Sequence, residues 1–254
     1  MLVKGHLSVT QLSTYLDCSQ RYWYQYVAQV PQPPTPALAR GIAVHRVAEQ
    51  ALSARIAGLT PTADDTRTVV RESIATLAQD AAWDPDVAND TVVQAEALAV
   101  LYHETVLSEI DPAAVEVPVE YTLADVPFLG RLDVVEVDGT VRDLKTSARR
   151  PAAGDLAKNL QATAYWEAYR QLCGEPPAAI IFDYLVATKT PAAESYRIGR
   201  TADDVTRLEY VVDGVARDLS LQRFYPNPAS PYCSATGCPF YARCMHDHNM
   251  RVIA

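Results

Sequence analysis

One segment of this chain is almost wholly apolar, and it constrains the fold class. It comprises residues 179–186, with the sequence AIIFDYLV. A strand with one face in water alternates apolar and polar residues, whereas an unbroken apolar run of this length is typical of a strand covered on both faces. The segment therefore predicts an α/β fold in which a sheet is flanked by helices.

Apolar spacing and composition predict the other elements. Apolar residues recur at helical spacing in residues 8–27, and long alanine-rich stretches with few helix breakers follow up to residue 110. From residue 115 apolar residues alternate with polar residues, as in a half-buried strand. The predicted helices cover residues 8–27, 38–57, 62–82, 87–110, 155–172 and 202–221, and the predicted strands cover residues 115–123, 128–137, 140–146 and 179–186. We expect a mixed central sheet, with a helical lobe at residues 59–111 inserted before the first strand.

Composition limits the class of protein. A chain of 254 residues with 49% hydrophobic content can bury one substantial core, so residues 1–254 are expected to form a single domain. No apolar stretch reaches membrane-spanning length, which predicts a cytoplasmic protein without a membrane partner. The net charge of −9 disfavours a nucleic-acid partner. Residues 142–170 are an exception, because they contain six basic and three acidic side chains.

Two carboxylates and an ammonium group converge on a predicted hairpin. Its strands join across Asp138-Gly139, a dipeptide that suits a tight turn. Side chains two apart in a strand share a face, so Asp143 and Lys145 point the same way, and the hairpin can bring Asp133 beside them. These groups suit Mg²⁺-assisted hydrolysis of a phosphodiester. The alternative is a surface Asp–Lys ion pair on an exposed hairpin.

Two further pairs of residues accompany the hairpin. Gln161 and Tyr165 are four residues apart and share a helix face, and Gly41 and His45 have the same spacing near the N-terminus. With the hairpin, these pairs resemble the motifs of the PD-(D/E)xK nuclease superfamily, in particular the Q-x-x-x-Y and G-x-x-x-H elements of its RecB-like group. Each pair alone suits an ordinary helix face or a core histidine.

The resemblance implies a restriction-endonuclease-like fold and a Mg²⁺- or Mn²⁺-dependent deoxyribonuclease. Exonuclease activity is favoured over endonuclease activity, because the resembling family is richer in exonucleases. The implied metal ligands are Asp133, Asp143, the backbone carbonyl of Leu144, and His45. Lys145 would orient the attacking water or steady developing charge, while Gln161 and Tyr165 would position the DNA strand. Glu120 can add a carboxylate to the site but suits a solvated face equally well.

Four of the five cysteines form a second candidate site. Cys18 lies near the N-terminus, and Cys233, Cys238 and Cys244 crowd the C-terminus. This arrangement resembles AddB and the CRISPR-associated RecB-like nucleases. It implies a [4Fe-4S] cluster that joins the first helix to a cluster-binding segment at residues 225–248. Four residues separate Cys233 from Cys238 where the family usually has two, and a structural Zn²⁺ site is the alternative. Cys173 is interpreted as a core thiol.

The expected partner is DNA, as single strands or duplex ends, in recombination, repair or replication. Proteins of those pathways are further expected partners. Two other functions remain open at this point: a non-catalytic DNA-binding or scaffold subunit with the same fold, and a nuclease of CRISPR adaptation. The intact set of two aspartates and a lysine favours an active enzyme over the scaffold.

Overall fold

The computed structural model describes residues 5–248, and contacts divide the chain into two compact units. The first consists of the described parts of residues 1–32, 120–130 and 201–254, and the second of residues 33–119 and 131–200. The helices are α1 (Val9–Asp17), α2 (Ser19–Tyr22), α3 (Pro36–Ile56), α4 (Ala63–Asp80), α5 (Pro85–Thr105), α6 (Ala153–Ala157), α7 (Leu160–Cys173), α8 (Ala202–Ser220) and α9 (Tyr241–Asp247). The strands are β1 (Pro112–Leu123), β2 (Val126–Glu136), β3 (Val141–Ser147), β4 (Ile180–Val186) and β5 (Ala192–Arg197). A π-helix (Trp23–Val27) follows α2, and a short 3-10 helix (Leu107–Glu109) follows α5.

The five strands form one sheet in the order β1-β2-β3-β4-β5. Strand β3 pairs antiparallel with β2 and parallel with β4, and β4 pairs antiparallel with β5. Phe182, Leu185 and Val186 of β4 are fully buried, as expected for a strand covered on both faces. The expectation of an α/β fold with a mixed sheet flanked by helices is confirmed. Strand β5 was not predicted, because its short sequence AAESYR has little apolar alternation.

Two of the predicted helices are interrupted in the structure, so the prediction that each is one continuous helix was wrong. The helix expected over residues 8–27 breaks at Cys18, whose backbone is extended with φ −164° and ψ 109°. Beyond the break, the Gln20 backbone N–H donates to the Tyr225 carbonyl at 3.1 Å, a bond that no sequence pattern reveals. The helix expected over residues 155–172 is divided into α6 and α7. Asn159 caps the start of α7 by accepting a hydrogen bond from the Ala162 N–H at 3.1 Å.

The core of the second unit joins its helices to its sheet. Helices α3, α4 and α5 pack around Leu52, Ile74 and Leu98, and the same buried cluster includes Leu144 of β3 and Leu185 of β4. The two helices of the predicted lobe therefore share a core with the strands that carry the candidate site residues. No helix within residues 5–248 combines the length and apolarity needed to span a membrane.

Candidate active site

The hairpin of β2 and β3 brings the two predicted aspartates together. Its turn is the predicted one, with Gly139 at φ 83° and its N–H donating to the Glu136 carbonyl at 3.0 Å. Val134 pairs with Arg142, a register that places Asp133 directly opposite Asp143. Cross-strand partners in an antiparallel pair point to the same side of the sheet. The two carboxylates therefore share one face.

Asp143 is held by three side chains that the sequence had singled out. Its Oδ1 accepts hydrogen bonds from Gln161 Nε2 at 2.9 Å and Tyr165 Oη at 2.8 Å, and its Oδ2 lies 2.5 Å from Lys145 Nζ. Lys145 Nζ also donates to Gln161 Oε1 at 2.6 Å. Gln161 thus contacts both the aspartate and the lysine, which fixes the separation of these two groups. The structure brings all four predicted side chains into one network.

Burial and mutual repulsion act on the acidic groups of this network. Burial, reinforced by the charge of Asp143, raises the pKa of Asp133 to about 8. Burial and then the charge of Asp143 also raise the pKa of Tyr165 well above its usual value, so its hydroxyl stays a hydrogen-bond donor. Joint ionisation of the buried Asp143 and the half-buried Asp133 is unfavourable, and a cation bound between them would offset that cost.

His45 approaches the aspartates from helix α3. Gly41, one turn earlier, lets this helix come close to β3, because a Cβ there would lie 3.1 Å from Thr146 Oγ1. His45 Nδ1 lies 3.5 Å from Asp133 Oδ2. Burial lowers the pKa of His45, so its ring is neutral at physiological pH and retains a lone pair. A hydrogen bond links His45 to the backbone of Leu144, another predicted ligand.

A cavity in the second unit is lined by His45, Asp133, Asp143 and Leu144, and also by Glu116 of β1. Glu116 was missed by the sequence analysis, whereas Glu120, the carboxylate considered there, is exposed. A regular alternation along β1 would place both on the same face, so the pattern gave no signal that separates them. Among residues 5–248, no three His, Cys, Asp or Glu side chains are already arranged as a metal site.

The basic residues of segment 142–170 do not form the free positive patch that their count indicated. Arg142 is buried, and its guanidinium donates to both carboxylate oxygens of Asp183 at 2.9 and 2.8 Å. Arg150 is paired with Glu194, and Arg170 with Glu167. The local excess of positive charge is therefore largely neutralised within the fold.

The first unit holds the four predicted ligand cysteines around one cavity. Cys18, Cys233, Cys238 and Cys244 all line it. Burial and the charges of the other three thiols raise the pKa of Cys244 to about 11, so the four sulfur atoms are close enough to influence one another's ionisation. Cys173 is exposed, and its interpretation as a core thiol was wrong.

Hydrogen bonds join the N-terminal helices of this unit to its later segment. Tyr15 Oη donates to the Arg223 carbonyl at 2.7 Å, and Ser19 Oγ accepts from the Tyr225 N–H at 2.9 Å. Asn227 Nδ2 also donates to the Asp17 carbonyl at 2.9 Å. These three hydrogen bonds therefore attach the segment around Cys18 to residues 223–227.

Similarity to known proteins agrees with this geometry. The model of the PD-(D/E)XK nuclease superfamily matches residues 6–245. No curated protein matches the sequence. A crystal structure from Eubacterium rectale, described as a "putative exonuclease", is similar with a TM-score of 0.63 and 14% identity, over 99% of this chain and 90% of that chain. At this identity the likeness shows a shared fold. The crystal structure of SSO0001 has 15% identity and a TM-score of 0.36, over 78% of this chain and 93% of that chain.

Proposed function

This chain belongs to the PD-(D/E)XK nuclease superfamily, and we propose that it is a divalent-metal-dependent deoxyribonuclease. The observation that carries the proposal is the network around Asp143, in which Lys145, Gln161 and Tyr165 converge opposite Asp133. A lysine fixed against a metal-ligating carboxylate suits phosphodiester hydrolysis, because it places positive charge beside a site where a metal ion would activate water. Exonuclease action is the favoured mode, supported by the fold shared with the Eubacterium rectale protein.

The donor set fits Mg²⁺ or Mn²⁺, which prefer oxygen ligands with at most a few nitrogen ligands. Asp133 and Asp143 would hold the ion, and the Leu144 carbonyl and His45 would complete its shell. The raised pKa of Asp133 supports the fit, because a cation would offset both the burial and the repulsion from Asp143 that favour the protonated form of this carboxyl. When bound, the ion would supply an activated water and positive charge against the reacting phosphate.

The protein's own groups have separate tasks in this proposal. Lys145, held by Gln161, orients the attacking water or stabilises the charge that develops on the phosphate. Tyr165 and Gln161 keep the Asp143 carboxylate in one orientation through its Oδ1. Because these hydrogen bonds already orient the polar groups, few of them have to move during the reaction, and such preorganisation increases the reaction rate. Gln161 and Tyr165 would position the DNA strand while they remain hydrogen-bonded to Asp143.

A non-catalytic DNA-binding or scaffold subunit is the main alternative function. It would have no need for a lysine locked against a buried aspartate, since buried charges are costly to maintain. The alternative also depends on clustered positive charge, and the structure neutralises much of the basic segment internally. Recombination, repair or replication proteins, or a CRISPR-adaptation complex, are proposed settings for the enzyme.

Cleavage of end-labelled linear DNA tests the nuclease proposal. The parent protein should degrade single-stranded or duplex ends with Mn²⁺ and not with EDTA, whereas Lys145→Met should lose activity by at least about a hundredfold. Lys189→Met is the matched control, because Lys189 is an exposed lysine outside the network, and it should cleave normally. Parent-like turnover by Lys145→Met would refute the active-site assignment.

We also propose that Cys18, Cys233, Cys238 and Cys244 bind a [4Fe-4S] cluster, with Zn²⁺ as the alternative metal. Their shared cavity and the raised pKa of Cys244 support a site in which metal ions offset crowded thiolate charge. Protein purified without oxygen should be brown, and Cys18→Ser should lose the colour while the exposed Cys173→Ser keeps it. A colourless parent protein with one equivalent of zinc would instead establish the zinc site.

A further inference from the structure

Glu116 has a left-handed backbone inside strand β1. Its φ is 53°, a value that residues with a Cβ seldom adopt within a strand. Later in the strand, Val119 and Tyr121 are buried while Glu120 is exposed, and the same alternation carried backwards would put residue 116 on the exposed face. A residue with a left-handed backbone interrupts this alternation, as a β-bulge does, and so changes the direction of its side chain relative to the rest of the strand.

The re-aimed side chain of Glu116 belongs to the candidate active site. It lines the same cavity as His45, Asp133 and Asp143. Glu116 therefore adds a third carboxylate to the two that the hairpin provides.

The cavity also contains Oδ2 of Asp143, a residue that is 1% exposed. Lys145 Nζ lies 2.5 Å from this oxygen, and no other side chain or backbone group of residues 5–248 donates a hydrogen bond to it, so a lone pair remains for a cation. Glu116 is paired instead with Arg131, whose Nη1 lies 3.2 Å from Glu116 Oε2. The Arg131 side chain is 60% exposed, so its guanidinium can leave this pair for water at little cost.

We propose that Glu116 is a third carboxylate ligand of the divalent-cation site, and that Arg131 competes with the cation for it. The inference rests on the proposed function, because the cation is the one assigned there to Asp133 and Asp143. The simpler interpretation is a surface ion pair between neighbouring strands, with no link to the cation. The two interpretations differ in how Mn²⁺ binding responds to each partner.

Calorimetric titration of the full chain with Mn²⁺, without DNA, tests the inference. Glu116→Gln should weaken Mn²⁺ binding by at least about tenfold, as loss of a ligand or its support does. Glu120→Gln is the matched control, since it removes the same charge from an exposed position of the same strand, and it should bind like the parent. Arg131→Met should tighten binding in the parent and have no effect in the Glu116→Gln background.

Parent-like Mn²⁺ affinity in folded Glu116→Gln would overturn the inference, and so would an Arg131→Met effect that persists without Glu116. Thermal melting in EDTA establishes that each variant folds. If Glu116→Gln does not fold, an unchanged affinity in Arg131→Met overturns the inference and a tighter one supports it. If Asp133→Asn abolishes Mn²⁺ binding while Glu116→Gln binds like the parent, only the role of Glu116 fails. A parent protein that binds no Mn²⁺ would refute the inference and the metal-dependent function together.

Discussion

The buried ion pair between Arg142 and Asp183 allows a stability prediction for the substitution Asp183→Ala. The two side chains are 7% and 3% exposed. The substitution leaves the Arg142 guanidinium without two hydrogen bonds of 2.9 and 2.8 Å. Removing one partner of a buried pair typically costs about 3–5 kcal/mol. Glu136 Oε1 still lies 3.3 Å from Arg142 Nη1, so we expect a loss of unfolding free energy near the lower end, about 3 kcal/mol.

Urea unfolding followed by tryptophan fluorescence measures this loss. The control is Asp213→Ala, which breaks an exposed pair with Arg217 on α8 and should cost at most about 0.5 kcal/mol. Replacing both partners, as in Arg142→Met with Asp183→Leu, should recover part of the stability, because the buried guanidinium is removed together with Asp183. Glu136 then loses its 3.3 Å contact with Arg142 but keeps the hydrogen bond from the Asp111 N–H. A loss below about 1 kcal/mol for Asp183→Ala, or one no larger than the control's, would refute the reasoning.

Three further predictions concern the candidate active site. Tyr165→Phe removes the 2.8 Å hydrogen bond to Asp143, so chemical unfolding should show a loss of about 1 kcal/mol in the free energy of unfolding. DNA cleavage should slow, whereas the affinity for Mn²⁺ should change little. Equal loss of cleavage and Mn²⁺ binding would contradict this separation. Asp133→Asn removes a half-buried carboxyl whose ionised form is disfavoured by burial and by Asp143, and it should stabilise the protein in EDTA by on the order of 2 kcal/mol. Added Mn²⁺ should raise the melting temperature of the parent but not that of Asp133→Asn. If Asp133→Asn is less stable than the parent in EDTA, the Asp133 carboxyl does not destabilise the metal-free fold. Gly41→Val places branched carbon atoms where even a Cβ lies 3.1 Å from Thr146 Oγ1. It should displace His45 and weaken Mn²⁺ binding, whereas Gly214→Val, at an exposed glycine of helix α8 whose added Cβ would meet no atom within 4 Å, should leave binding unchanged.

The parts of the site that the sequence predicted depend on local geometry. Strand alternation and a two-residue turn suffice to bring Asp133 and Asp143 together, and a helical spacing of four places Gln161 and Tyr165 on one face. Their assembly into a single network was inferred from resemblance, and the structure shows the contacts that form it.

The parts that escaped prediction depend on contacts between distant segments. The break at Cys18 accompanies hydrogen bonds to Tyr225, more than 200 residues later. The inward turn of Glu116 needs a left-handed backbone that no neighbouring residue type signals, since neither glycine nor asparagine occupies the position. The charge count over residues 142–170 failed for a similar reason, because Asp183 and Glu194, which neutralise two of its arginines, lie outside the counted segment.

The attachment of α1 to residues 223–227 determines when the first unit can form during protein synthesis. Tyr15 donates to a carbonyl 208 positions later in the chain. At about 5–20 residues per second, that partner is synthesised roughly 10–40 s after Tyr15. Through this interval Tyr15 and Tyr22 lack Phe224, with which both rings pack in the finished unit. The nascent N-terminal segment therefore cannot complete its aromatic packing until at least residue 224 has been synthesised.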